Sequence, residues 1–86
     1  MFDLDARWQL HPQVALRPEP FGALLYHFGT RKLSFLKNLV VVEVVTAIGE
    51  HPTARAALRA AGVQDVGIYA KALDALVNSN MLVRAS

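Results

Sequence analysis

The spacing of apolar side chains changes once along this chain, near Asn38, and divides it into an N-terminal β part and a C-terminal helical part jointed by prolines and glycines. Gln13 to Arg17 alternates polar and apolar, with Val14 and Leu16 on one face and Pro12 and Pro18 as stops, which predicts a first strand. Ala23 to Phe28 and Leu33 to Leu36 are rich in aromatic and aliphatic residues. They flank Gly29-Thr30-Arg31-Lys32, a loop whose glycine suits a bulged hairpin turn, and so predict strands two and three. The third of these is short, basic at both ends and followed at once by helical sequence. Alternation along it puts Leu33 and Phe35 on an inner, core-facing side.

Thr53 to Ala61 has a threonine N-cap after Pro52, then Ala54, Ala57, Leu58 and Ala61 at helical spacing, and Gly62 as C-cap. Asp65 is the expected cap of a further helix, with Tyr69, Ala72, Leu73, Leu76 and Val77 as its apolar stripe and Asn80 as its stop. Leu39 to Ile48 has the β-branched content of a buried strand, but Asn38 can cap it and ten apolar-rich positions exceed a usual strand, so a helix is expected. The expected architecture is α+β: three N-terminal antiparallel strands followed by three helices, a small winged helix-turn-helix forming one domain over residues 1–86.

Composition narrows what such a fold does. At 53% hydrophobic and 19% charged, the 86 residues are those of a folded chain, and the absence of cysteine leaves stability to packing and fits a reducing cytoplasm. The amino terminus has no basic segment followed by an apolar run, so secretion is not expected. The apolar stretch from Leu39, interrupted by Glu43, is far short of the ~20 residues a membrane span needs. A net charge of +2 is a weak excess for holding several phosphates. His11, His27 and His51 lie on three different elements without ligand spacing, so no metal or other cofactor is expected. Ser34, Ser79 and Ser86 have no histidine and aspartate that the sequence sets beside them, and Asp65 and Asp74 are nine apart, so the chain reads as a non-enzyme. Trp8, with Phe2 and Leu4, is expected to be buried within this chain.

The runs HPQVALR, FGALLYHFGTRKLSFLKN, the apolar helix ending in AIGEH, and PTARAALRAAG resemble, in that order, the PqqD-like peptide-recognition domains called RiPP recognition elements. The wording is nearest to the chaperones of mycofactocin biosynthesis, over Trp8 to Arg84, with LSFLKN the most specific part. The first helix is richer in valine than is common there, and GEHPT lacks the usual Asp-Gly. The resemblance implies a non-catalytic module that binds the leader of a ribosomally made precursor peptide and presents it to a radical S-adenosylmethionine (radical SAM) maturase.

Physical reasoning reaches a matching mechanism, since an exposed edge strand offers N–H and C=O groups that an extended peptide can complete. Leu33, Ser34, Phe35 and Leu36 are the expected edge, with their backbone groups as the binding elements. Arg31, Lys32 and Lys37 either steer an acidic leader or simply protect the edge against aggregation. Ile68, Lys71 and Ala75, beside the apolar stripe of the last helix, form the expected opposite wall, and Ala72 is counted with them. The competing class, a winged-helix DNA-binding module, would put that helix in the major groove. Between Asp65 and Asn80, however, it offers one lysine against two aspartates, which argues against nucleic acid.

Overall fold

A computed structural model describes residues 2–85 of the chain. It is α+β, with two antiparallel sheets and three α-helices. The elements are β1 (Trp8–Leu10), β2 (Val14–Glu19), β3 (Gly22–His27), β4 (Leu33–Leu36), α1 (Leu39–Ala47), a 3-10 turn (Ile48–Glu50), α2 (Ala54–Ala60), α3 (Gly67–Asn78) and β5 (Leu82–Arg84). The three expected strands are β2, β3 and β4, paired in that order, while β1 and β5 form a second, two-stranded sheet that sequence reading did not anticipate. β1 and β5 lie at opposite ends of the chain and pair Trp8 with Arg84 and Leu10 with Leu82.

The first expected strand runs on past its supposed stop, because Pro18 sits inside β2 opposite Ala23. Phe28 donates to the Gln13 carbonyl (2.8 Å), and alternation from that pair turns the backbone of Ala15, Arg17 and Glu19 toward β3 and that of Leu16 and Pro18 away from it. A proline there forfeits no ladder bond. Gly22, at φ +145°, opens β3 where a Cβ would collide with the Leu36 carbonyl oxygen, so glycine permits the close approach of β4. Gly29 serves the hairpin turn in a different way from that expected: the left-handed residue is Arg31 (φ 61°), and a Cβ on Gly29 would collide with the Gln13 side chain.

The valine-rich segment is helical. Asn38 Oδ1 accepts from the N–H groups of Val40 (2.8 Å) and Val41 (3.3 Å). Val41, Val44, Val45 and Ile48 then recur at i, i+3, i+4, i+7 and are all buried, so packing of this stripe overrides β propensity. Thr53 caps α2 through Ala56 N–H (3.0 Å), and Gly62 (φ +86°) closes it. Asp65 does not cap α3: the helix opens after Val66 without a side-chain cap, and it ends before Asn80 in the left-handed region (φ 60°).

One apolar cluster runs from Phe2 to Leu82 and includes Ala23, Leu25, Leu36, Leu58, Leu73 and Met81. Trp8 and Phe2 are buried in it and stacked at 4.8 Å, with Trp8 Nε1 donating to the Asp3 carbonyl (2.8 Å). α1 packs on the face of the three-stranded sheet from which Ala23, Leu25 and Leu36 point inward, and α2 and α3 pack in turn on α1. His27, also buried, uses Nδ1 to accept the N–H groups of Gly29 (3.0 Å) and Thr30 (3.1 Å), so its role is to hold the β3–β4 turn. The His11 ring lies beside it, tilted by 43° with centroids 4.4 Å apart, and accepts from Gln13 N–H through its own Nδ1 (3.0 Å).

Candidate functional site

β4 is the last strand of its sheet, and among the described residues no strand pairs with its second edge. Its register fixes which groups face outward. His27 N–H donates to the Lys32 carbonyl (3.0 Å), and in an antiparallel ladder the inward-bonding residues alternate, so Ser34 and Leu36 spend their backbone groups on Leu25 and Ala23. Leu33 and Phe35 therefore turn their N–H and C=O groups to the open edge. The two edges of the sheet differ in kind, since β2 has Pro18 at an outward position and β4 has no proline.

Side-chain directions follow from the same register and correct an expectation. Ser34 and Leu36 point inward opposite Leu25 and Ala23, whereas Leu33 and Phe35 lie opposite Tyr26 and Leu24 on the outer face and are 51% and 60% exposed. Alternation holds along β4 but in the opposite phase, because the buried phase is set by β3, where Ala23, Leu25 and His27 are buried and Leu24 and Tyr26 only half-buried.

Beyond the open edge a groove of about 380 Å³ separates β4 from α3. It is lined by Ser34, Phe35, Leu36 and Lys37 on one side and by Ala72, Ala75, Leu76 and Ser79 on the other, with Asn38 and Val41 of the α1 entry between them. Leu36, Val41 and Leu76 are nearly buried and make an apolar floor. Among the described residues no carboxylate lines the groove, and Lys37 is its cation. The helix wall is made of small side chains because Ala72, Ala75 and Ser79 recur at i, i+3, i+7 on one face. Ile68, 66% exposed, lies one turn before Ala72 on that face.

The structure thus brings together Ser34, Phe35, Leu36, Lys37, Ala72 and Ala75 of the expected site. Ala72 is exposed and belongs to the wall, not to the core stripe, whose buried members are Leu73 and Leu76. Lys71 is not in the groove. A step of one residue turns it around α3 to a second depression lined by Phe2, Leu4, Gly67, Ala70 and Asp74. Arg31 and Lys32 are exposed in the β3–β4 turn, outside the groove lining. Val41, Leu76 and Ser79 are lining residues that sequence reasoning missed, although Ser79 could have been found by continuing the Ala72, Ala75 spacing one more turn.

An unpaired strand edge facing the apolar side of a helix is the geometry of modules that take up an extended segment by strand addition. Residues 7–83 match the model of the peptide chaperone MftB family. The chain is 68% identical over 84 residues to the peptide chaperone MftB of Mycolicibacterium smegmatis, covering 95% of this chain and 82% of that one. It is 61% identical over 84 residues to the peptide chaperones MftB of Mycobacterium tuberculosis and Mycobacterium ulcerans, covering 95% of this chain and 77% of each. No solved structure matches it. This chain belongs to the peptide chaperone MftB family.

Proposed function

We propose that this chain is a non-catalytic peptide chaperone of mycofactocin biosynthesis. It binds the leader of a ribosomally made precursor peptide by strand addition to β4 and presents the peptide to a radical SAM maturase. Family membership supports the chaperone reading. The single observation that carries the mechanism is the outward-facing backbone of Leu33 and Phe35 beside the apolar groove. An added strand would take its ladder bonds from these two residues and set every second side chain against Leu36, Ala72, Ala75 and Leu76. Arg31, Lys32 and Lys37 would draw an acidic leader toward the edge, and Ile68 would extend the apolar wall.

Residues 1–86 act as one recognition domain in this reading, supported by an apolar cluster that joins both ends of the chain. Its helical half is read as a winged helix-turn-helix whose last helix meets peptide in place of DNA; Ile68, Ala72 and Ala75 give that helix an exposed face without a phosphate-binding group. The expected location is the cytoplasm, where precursor and maturase are made. Among the described residues no helix is long and apolar enough to cross a membrane.

Isothermal titration with the precursor peptide encoded beside this chain, with and without its leader, tests the proposal. Saturable binding that requires the leader is expected. Absence of peptide binding together with tight, salt-sensitive binding of duplex DNA would overturn it.

A further inference from the structure

The outer face of the three-stranded sheet is unlike an ordinary solvent face. On β3, Leu24, Tyr26 and Phe28 point outward; on β4, Leu33 and Phe35 do so; and Phe21, in the β2–β3 turn, packs over Phe35 at 6.0 Å. Phe28 meets Tyr26 edge-on at 5.0 Å. Four of the six large apolar side chains most exposed among the described residues, Phe21, Phe28, Leu33 and Phe35, belong to this one face. A solvated antiparallel sheet normally alternates apolar-in with polar-out. Here the outer phase of β3 and β4 is largely apolar like the inner one, and among the described residues no element covers it.

On β2 the outer-face residues are Ala15, Arg17 and Glu19, so the apolar part of the face is that of β3 and β4 with Phe21 and Phe28 beside them, roughly 200 Å² at about 4.8 Å per strand and about 3.3 Å per residue. Singly scattered exposed apolar side chains are ordinary, whereas Phe21, Phe28, Leu33 and Phe35 gathered on one face mark a contact surface. A stable interface needs about 800 Å² per partner, so the patch would form the apolar centre of one and a polar rim would complete it. That rim is cationic. Arg31, Lys32 and Lys37 bracket β4 and, among the described residues, make no ion pair, while Arg17 is held by Glu19 at 3.0 Å.

We infer that this face is the docking surface for a second protein whose own apolar patch is ringed by carboxylates, and that it is occupied while peptide lies along β4. The inference rests on the proposed function, which names the partner as the maturase. Two observations select such a partner. Charge complementarity disfavours a second copy, because two-fold apposition would bring Arg31, Lys32 and Lys37 against their own likenesses. Continuity favours the protein that receives the peptide: a strand added to β4 becomes the fourth strand of this sheet, and its outward side chains extend the same apolar face beside Leu33 and Phe35. The partner would then touch chaperone and peptide at once, and would read the peptide side chains that do not enter the groove.

The test uses Phe28→Asp and Phe21→Asp, neither of which lines the groove. The purified radical SAM maturase encoded beside this chain is the probe in one titration and the precursor peptide in another. Expected is a loss of about tenfold or more in maturase affinity, the scale of an aromatic anchor removed from an interface, with peptide affinity within about twofold of the unaltered chain. Unchanged maturase affinity in both variants would overturn the inference, as would a dimer of the unaltered chain in sedimentation that Phe28→Asp dissolves. Amide cross-saturation from the maturase to the unaltered chain gives a reading that no variant's folding can disturb: signals confined to residues outside Phe21 to Phe35 would overturn it equally. Maturase binding through this face by a chain that ignores the precursor peptide would support the docking surface and refute peptide recognition, so the two readings fail separately.

Discussion

Ser34 and Phe35 are neighbours whose backbone groups face opposite ways, and proline distinguishes them. At Phe35 a proline removes an N–H that points to the open edge, a position where sheets tolerate it. At Ser34 it removes a donor already committed to β3. Phe35→Pro is therefore expected to stay folded by circular dichroism and to lose peptide affinity by about tenfold or more, the equivalent of one missing ladder bond plus its unsatisfied partner. Ser34→Pro is expected to lower the unfolding midpoint in urea, with any loss of binding following from loss of structure. Phe35→Pro binding as tightly as the unaltered chain would remove β4 as the edge. The same residue scale explains why Leu33 and Phe35 were misread: their apolar character predicts burial, and only the pairing partner on β3 decides which phase of a four-residue strand is enclosed.

Elements were legible where local signals were complete. The caps at Asn38 and Thr53, the turn at Gly62 and the left-handed Asn80 each bound a helix as the sequence implied. α1 was the hard case because its valines favour a strand, and its i, i+3, i+4, i+7 stripe outweighed that preference by burying one whole face. β1 and β5 were not legible. Three residues are too few to establish a period, and each strand exists only because the other end of the chain lies beside it.

The groove was half legible. A strand edge and a helix face could be named, but the rotation of α3 that brings Ala72 in and turns Lys71 out depends on where Leu73 and Leu76 find the core. That rotation carries a prediction at this scale. Ala75→Phe adds a ring to an exposed helix position facing β4, so it should cost little stability, within about 1 kcal/mol, yet fill the groove and weaken peptide binding by about tenfold or more. Lys71→Glu, on the other face, should leave affinity for an acidic leader unchanged at low salt. A titration in which Lys71→Glu weakens binding and Ala75→Phe does not would mean that the peptide uses the second depression.

At the scale of the molecule, the amino-terminal segment ties the two halves together. An α-helix begins with four N–H groups that have no partner within it. In α2 the amino-terminal segment takes two of them, Ala54 donating to the Ala6 carbonyl (3.1 Å) and Arg55 to the Leu4 carbonyl (2.9 Å), and the Thr53 side chain accepts a third from Ala56 (3.0 Å), before Ala57 makes the first intrahelical bond to the Thr53 carbonyl. Arg55 Nε also reaches Asp5 at 2.9 Å, and Arg84 of β5 lies over the Trp8 ring at 5.6 Å. Asp5 is held below its ordinary value of 3.8 chiefly by the Arg55 hydrogen bond and then by its charge. A carboxyl that binds its proton less readily in the folded chain than in the unfolded one stabilises the fold above the unfolded value, and that contribution disappears as pH falls through the lower, folded one. Asp5→Asn should therefore unfold at lower urea than the unaltered chain at pH 7 and at pH 5 by a similar margin. The margin should close below about pH 4, and it should shrink in about 0.5 M salt because the pair is exposed. A margin that persisted undiminished in acid would assign the loss to the backbone bonds of Leu4 and Ala6 and leave the ion pair without a part in holding the amino terminus on α2.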